Sequence, residues 1–564
     1  MELSKISSFK IIKLEWERIF LHFEIQSDNE SEVKFAFSRF SRNITNKIDV
    51  EESNGEPEIS FEFRDLVYIY PESCENSVYK FTLNMAAVNG RNFLDNGKWR
   101  IIACVDDKVS VVNITNELAY KVSEMSKIFR YGRDKYAYNL SFSITRYREG
   151  DLELYFNNYF LMVNKSWKKR RYIQEAFHLP GKIDRTYMYT VIRLMRLYYY
   201  VMSFIFPKKG NKVLFMSETK DYLWGNLKYI NDRITERGLD EQFDITVSCR
   251  KSVGSNKSAF SWLKTVTNIA RNDFIFIDDY APVFGFLKLS KKTKLIQVWH
   301  AGEGFKSVGY SRFGKSGSPF PSQSCHKAYD YALTGSEKLI KIYEEVFGIE
   351  REAFLPVGMP RLDTFLDEKK IRNFKENFNE EYPELKNKKV ILFAPTFRGA
   401  GQKSARYDYD VLDLGRLYNF CSDEYVILFK MHPFVTVPIE IPEEYSDRLF
   451  DFTEYPNIND LYYITDLLIT DYSSNYYEYA LLKKPVLFFT YDRENYELTR
   501  GVHRSVKENA PGKVCDTFDE MMEALKTGDF EYDKIIKFIE DNFKEYDGHA
   551  CDRVIDQILL KKEE

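Results

Sequence analysis

Leu467-Leu468-Ile469-Thr470-Asp471-Tyr472-Ser473-Ser474 is the stretch that decides the fold class. It opens as a short, uncharged apolar run and ends in two hydroxyls, directly before the helical Asn475–Leu482. A continuous apolar run of this kind reads as a strand buried on both faces, the kind found in parallel sheets covered by helices. Working outward, the texture repeats. Val390-Ile391-Leu392-Phe393, Tyr425-Val426-Ile427-Leu428-Phe429 and Val486-Leu487-Phe488-Phe489 belong to the same series. An earlier series holds Val213–Met216, Phe243–Val247, Phe274–Ile277 and Leu295–Trp299, with helices such as Trp224–Arg237 between them. The charged stretch Asp367–Lys389 separates the two series. Alternating buried strands and helices predict two doubly wound α/β domains with a cleft between them.

Residues 1–148 have a different period. Phe9 to Ile25 mostly alternates apolar and polar residues, and short strands are expected at Val33–Phe37, Ile59–Phe63, Val78–Leu83, Trp99–Val105 and Tyr136–Ile144. Clusters such as Ser53-Asn54-Gly55-Glu56-Pro57 separate them, so a small antiparallel sandwich is expected there. Residues 149–209 form a basic, aromatic connector. Between 165 and 212 stand twelve lysines and arginines against two acids, including Lys168-Lys169-Arg170-Arg171. Tyr187–Phe206 within it is apolar and aromatic but carries Arg193 and Arg196, so it is not expected to span a bilayer. Two readings stay open: a helix lying in an anionic membrane surface, or a linker helix packed on the catalytic core. The domains expected are therefore 1–148, 149–209, 210–385 and 386–564.

The whole-chain figures agree with this division. A chain of 564 residues exceeds a single core, and 44% hydrophobic with 29% charged residues is ordinary for a folded protein. A net charge of −4 gives no field for nucleic acid, and none is expected as a partner. Seven scattered cysteines without a CxxC pair point to reduced thiols. The start of the chain lacks the apolar run of a secretory signal, and no stretch of eighteen uncharged apolar residues occurs. An intracellular location is expected.

Ligands of open α/β sheets bind beyond the carboxyl ends of the strands, so the motifs there carry the chemistry. Ser473 and Ser474, at a helix start, would offer hydroxyls and backbone N–H groups to an anion; a plain helix cap is the alternative for Ser473. Glu478, one turn on, would accept from ribose hydroxyls. His300 ends a strand of the first series and is followed by a glycine-containing loop and Lys306. Its imidazole suits general-base work on an alcohol, against the alternative of a structural histidine. His432, before Pro433, ends a strand of the second series and would hydrogen-bond phosphate or polarise the leaving group; a turn histidine is its alternative. Arg398, with Thr396, lies where a guanidinium fork could hold a pyrophosphate. Arg361 is open between a phosphate contact and a salt bridge in the hinge region. Tyr491-Asp492 and Arg500-Gly501 follow the next strand and could close the site. No zinc motif, Walker loop or GxSxG occurs. No carboxylate cluster demands a metal, and a magnesium ion bridging a pyrophosphate is left open.

In order along the chain, Trp299-His300-Ala301, Gly358-Met359-Pro360-Arg361, Ala394-Pro395-Thr396-Phe397-Arg398, Met431-His432, Asp471-Tyr472-Ser473-Ser474 and Ala510-Pro511-Gly512 resemble the motifs of the CDP-glycerol/CDP-ribitol polyolphosphotransferases of teichoic acid synthesis. The resemblance covers about residues 210–530 and extends weakly to the β-rich start, as in ribitol-phosphate polymerases. It implies a GT-B-type pair of Rossmann-like domains, a CDP-ribitol or CDP-glycerol donor, a lipid-linked polyol-phosphate acceptor of a wall polymer or capsule, and peripheral attachment to the cytoplasmic face of the membrane. Carried over by motif, His300 is the base, His432 the second essential histidine, Ser473 and Ser474 the donor phosphate contacts, and Pro433 lies beside the cytidine. Gly302-Glu303-Gly304-Phe305-Lys306 and Lys430-Met431-His432-Pro433 differ from the glycerol-type motifs and lean to ribitol. A nucleotide-sugar glycosyltransferase of the same fold is the rival reading.

Overall fold

The computed structural model describes residues 9–28, 32–39, 64–90, 93–95, 97–105, 108–125, 127–131, 136–147, 151–162, 182–251, 258–300, 302, 308–309, 325–399, 405–493, 496–497, 504–543 and 546–561. The chain divides into two compact units, one built on Met1–Lys168 and the other on Lys169–Lys306, Ser322–Arg493 and Val506–Glu564.

In the first unit, twelve strands join one hydrogen-bonded sheet. The alternating run at its start folds as a hairpin. Phe9–Glu17 pairs antiparallel with Phe20–Ser27, and the chain turns at Arg18, whose φ is 55°. Phe9, Phe35, Phe81, Trp99, Phe142 and Phe156 meet in its core. One expected boundary is corrected. The strands form one continuous network that folds over on itself, since Phe35 packs on Phe9 and Phe81 from strands that are not its neighbours in the sheet. The sheet also passes residue 148, because Asp151–Met162 pairs along its full length with Tyr136–Tyr147. Residues 152–158 are all buried there: Leu152, Leu154 and Phe156 join the apolar core, while Glu153, Tyr155 and Asn157, on the opposite face, are buried as well. The strand expected at Ile59–Phe63 lies outside the described residues.

The second unit holds two six-stranded sheets, every pairing parallel. Across the first sheet the strands run Asp244–Cys249, Lys212–Ser217, Phe274–Ile277, Lys294–Gln297, Tyr331–Leu333, Phe354–Leu355. Across the second they run Leu449–Asp451, Tyr425–Phe429, Lys389–Phe393, Thr465–Thr470, Val486–Phe489, Lys513–Cys515. The second order is 3-2-1-4-5-6, the Rossmann arrangement, whose crevice opens between its strands 1 and 4. In the first sheet the reversal falls between Lys212–Ser217 and Phe274–Ile277.

The helix Lys182–Ile205 belongs to this unit and lies along the Ala259–Arg271 helix. One face is committed to protein: Ile192 and Tyr199 are buried, Arg196 Nε donates to the Phe286 carbonyl at 2.7 Å, and the Tyr199 hydroxyl accepts from Ser290 N at 2.9 Å. The other face leaves Leu194, Leu197, Val201 and Phe204 exposed, Phe204 to 90%. No helix among the described residues is long and apolar enough to cross a membrane. The basic cluster Lys168–Arg171 lies outside the described residues.

A further correction concerns the last domain, expected to run from 386 to the final residue. Ala550–Val554 and Ile555–Leu559 return to the first sheet, where Cys551, Val554, Ile555, Ile558 and Leu559 share a core with Val213, Phe215 and Leu227. Asp363 receives this helix by accepting from Ala550 N at 2.9 Å and Cys551 N at 2.7 Å, which satisfies N–H groups that helix starts leave unpaired.

Candidate active site

His300 stands just beyond the strand Lys294–Gln297, half-exposed at its carboxyl end. The residue before it, Trp299, has φ of 53°, a left-handed conformation that costs a bulky L-residue roughly 1–2 kcal/mol. Local hydrogen bonds hold it there. Trp299 N donates to Gln297 Oε1 at 2.8 Å, and Asn226 Nδ2 donates to both the Val298 and Trp299 carbonyls at 2.9 Å. The Trp299 and His300 rings lie 4.5 Å apart. His300 Nδ1 is 3.2 Å from the Asp278 carbonyl and 3.8 Å from Asp279 Oδ2. A carbonyl can only accept, so Nδ1 carries the proton and the neutral ring keeps its lone pair on Nε2. That is the form a general base needs.

Asp278 and Asp279 follow the strand Phe274–Ile277 directly. Asp278 sits at the first sheet's reversal, where Ser217 Oγ donates to its Oδ2 at 3.0 Å. Burial raises its carboxyl to about 6, against the opposing effects of Ser217 and His300. Neither aspartate nor Asn226 was expected as part of the site. The signal for the aspartates was present, since paired carboxylates at a buried strand's tip are unusual without a role; for Asn226, one asparagine in a helix, no local signal exists.

His432 follows the strand Tyr425–Phe429 of the second sheet and packs against Phe397 and Phe434, each with ring centroids 4.8 Å away. Its Nδ1 accepts from Phe434 N at 3.1 Å, which puts the neutral ring's proton on Nε2. The two histidines thus hold opposite tautomers. Pro433 beside it is exposed.

The loops at the second sheet's crevice are organised by Asp471, which is fully buried. It accepts from Thr396 N at 2.8 Å, Ser473 N at 3.3 Å and Arg398 Nη1 at 2.7 Å. Arg398 also forks onto Asp492 through Nε at 2.6 Å and Nη2 at 2.8 Å, and donates to the Thr396 carbonyl. The rings of Tyr407, Tyr472 and Tyr491 surround its guanidinium at 5.1–5.5 Å. This corrects the expectation of a pyrophosphate clamp. Arg398 is turned into two carboxylates and three aromatic faces, and it braces the loop instead. Thr396 is likewise buried, with its N–H on Asp471. Ser473 and Ser474 remain partly exposed at the rim. Ser473 Oγ accepts from Asn475 N at 3.4 Å, while Ser474, at the helix N-cap, makes no side-chain cap bond.

Glu478 departs from its expected place, and of the two readings open for Arg361 the structure takes the salt bridge. Glu478 is buried and paired with Arg361 Nη2, so the carboxylate expected on a ribose is committed to a guanidinium. Burial raises the Glu478 carboxyl, and Arg361 and then His300 oppose that rise. His300 is therefore within electrostatic reach of the helix that follows Ser474. The two sheets are brought close at the same place by Tyr477, whose ring lies where a Cβ on Gly302 would be and whose hydroxyl lies where a Cβ on Gly335 would be. Lys306, Arg500 and Gly501 lie outside the described residues. Among the described residues, no group of three or more His, Cys, Asp or Glu is arranged to hold a metal.

Comparison with known proteins adds to this geometry. The family model described as CDP-Glycerol:Poly(glycerophosphate) glycerophosphotransferase matches residues 198–560. The chain is 36% identical over 496 residues to a teichoic acid poly(ribitol-phosphate) polymerase of Bacillus spizizenii, covering 86% of this chain and 78% of that one. It is 38% identical over 354 residues to the teichoic acid ribitol-phosphate polymerase TarL of Staphylococcus aureus, covering 63% of each. The solved structure of the wall teichoic acid polymerase TagF aligns with a TM-score of 0.52 at 21% identity, covering 68% of this chain and 98% of that chain, a likeness of fold. With matched motifs spread over both parallel sheets, the chain belongs to the CDP-glycerol:poly(glycerophosphate) glycerophosphotransferase family.

Proposed function

We propose that this CDP-polyol phosphotransferase extends a poly(ribitol phosphate) chain, taking ribitol phosphate from CDP-ribitol and releasing CMP. The opposed tautomers of His300 and His432 carry this reading. The acceptor's terminal hydroxyl oxygen attacks the phosphorus that bears ribitol, and its proton passes to the lone pair on His300 Nε2. The bond from that phosphorus to the CMP oxygen breaks, and CMP leaves with the electron pair. His432, with its proton on Nε2, donates to a donor phosphate oxygen, where charge grows. Ser473, Ser474 and the backbone at the rim bind the same phosphates, and Pro433 lies against the cytidine. Such transfers depend mostly on positioning and charge stabilisation. The cleft of a GT-B-type pair, between the first sheet on the acceptor side and the second on the donor side, is where these groups would meet, with the N-terminal sheet as an accessory domain.

Ribitol is favoured over glycerol because the relatives at 36–38% identity are named for ribitol phosphate, whereas those named for glycerol phosphate stand at 29–33%. The test is CMP release by purified protein from CDP-ribitol or CDP-glycerol, with a lipid-linked polyol-phosphate acceptor. Faster release from CDP-ribitol is expected, with mass spectrometry showing ribitol-phosphate increments. No CMP from either donor, or release of UDP or GDP from a sugar nucleotide instead, would reject the assignment.

The same reading places the enzyme on the cytoplasmic membrane surface, where a lipid-linked acceptor is held. Leu194, Leu197, Val201 and Phe204, with Phe260 exposed on the adjacent helix, form an apolar strip of the kind that lies in an interface. Pelleting with anionic vesicles that weakens in Leu197→Asp/Phe204→Asp supports it, and unchanged pelleting rejects it.

A further inference from the structure

The geometry points to Asn226 as the positioning residue that holds His300 in its base-competent orientation and ties it to the Arg361–Glu478 contact. The inference rests on the proposed function and adds a residue to it. Asn226 lies in the first turn of the helix Gly225–Glu236 and is 1% exposed. Every hydrogen-bonding direction of its amide that the geometry uses goes to a backbone group of the site. Nδ2 donates to the Val298 and Trp299 carbonyls, both at 2.9 Å, and Oδ1 accepts from Arg361 N at 3.0 Å. Two acceptors on one side and one donor on the other fix which end of the amide is nitrogen.

The consequence follows from where these groups stand. Val298 and Trp299 are the two residues before His300, and Trp299 is held at φ 53°. Without the two amide bonds, the strained Trp299 backbone can relax toward ordinary φ, and relaxation swings the His300 ring away from the Asp278 carbonyl. Loss of that contact frees Nδ1 to exchange tautomers and moves Nε2. On the other side, Arg361 is fixed at its backbone by Asn226 and at its guanidinium by Glu478, in the helix that starts at Ser474. One buried amide therefore joins the base's loop to the segment that ends at the donor-side helix.

The experiment is a double-mutant cycle with Asn226→Asp, which keeps the side chain's shape but sets a carboxylate oxygen against two carbonyls, and Asn226→Ser, which removes the reach without adding charge. CMP release, CDP-ribitol binding by calorimetry and thermal unfolding are measured for each, alone and in the His300→Ala background. Misplacing a catalytic group by about 1 Å costs on the order of 10²-fold, so kcat is expected to fall by roughly that factor with donor affinity changed less than about threefold. In the His300→Ala background the further loss should be about twofold or less, because a residue that acts through the base has nothing left to position. A full additional loss on top of His300→Ala, unchanged kcat in both single variants, or loss of the cooperative unfolding transition in both, would each overturn the inference. The last outcome would make Asn226 a folding residue. If the unsubstituted protein releases no CMP, the functional reading itself fails, and this inference with it; turnover in that protein with inert variants removes the inference alone.

Discussion

At the scale of the residue, the two histidines differ less in position than in proton. His300 gives its Nδ1 proton to a carbonyl, while His432 receives an N–H at the same atom. A glutamine can imitate a donor but not an imidazole base. His300→Gln should therefore lose roughly 10²–10⁴-fold in kcat, the usual contribution of general-base catalysis. His432→Gln should retain measurably more, and equal losses in CMP release would remove the distinction drawn between them. Asp278 supplies a second prediction. Its folded carboxyl is raised to about 6, above the ordinary range, by burial. Between about pH 4 and 6 the folded protein thus binds more protons than the unfolded chain, and stability falls as pH rises through that window. A shift of this size corresponds to about 2–3 kcal/mol. Asp278→Asn keeps an oxygen for Ser217 and removes the charge, so its thermal midpoint relative to the unsubstituted protein should improve between pH 4.5 and pH 7.5. A difference that stays flat with pH would show that Asp278 does not ionise in this window.

At the scale of the element, the helix Asn475–Ala480 packs through Tyr477 onto two glycines 33 residues apart, Gly302 and Gly335. At Gly335 the atom in the way of a Cβ is the phenol oxygen, and the next contact, Tyr477 Cζ, is at 3.2 Å. That hydroxyl is buried without a hydrogen-bond partner among the described residues, a state that costs about 1–3 kcal/mol. Tyr477→Phe should accordingly be neutral or stabilising. Gly335→Ala should be destabilising by about 1–3 kcal/mol, the usual cost of overpacking, and most of the loss should vanish in the Gly335→Ala/Tyr477→Phe double variant. Additive changes in chemical denaturation would show that the contact is not as close as described. Elements of this kind also mark where sequence reading succeeds. Phe274–Ile277 and Tyr425–Phe429 are legible because four or five apolar residues in a row, repeated along the chain between helical segments, suit strands covered on both faces. Tyr331–Leu333 and Phe354–Leu355 are too short to stand out. Arg398 was legible as a residue at a strand's end, but its partners Asp471 and Asp492 lie 73 and 94 residues away, and nothing local distinguishes a guanidinium facing ligand from one facing a carboxylate. The Arg361–Glu478 pair, 117 residues apart, was hidden for the same reason.

At the scale of the whole second unit, the chain closes on itself. The segment Ala550–Leu559 follows the second sheet in sequence yet completes the core of the first. Arg233 and Arg237 reinforce it by bridging to Asp552 at 2.8–3.0 Å, and Arg237 reaches Asp556 at 2.7 Å. These ion pairs are partly exposed and each contributes little, so the five buried apolar side chains must provide most of the attachment, at about 1.5–3 kcal/mol for a fully buried Val, Leu or Ile. A chain that must cross back to finish its first sheet cannot unfold that sheet while the second stays fully native, because the returning segment is tethered to both. One cooperative calorimetric transition is therefore expected for the two parallel sheets. Val554→Asp, which sets an unpaired carboxylate among Val213, Phe215 and Leu227, should lower the midpoint of that whole transition. Arg233→Ala should shift it only slightly. Two resolved transitions, with Val554→Asp moving only one of them, would mean that the sheets fold independently and that the returning segment is a surface attachment and not part of a shared core.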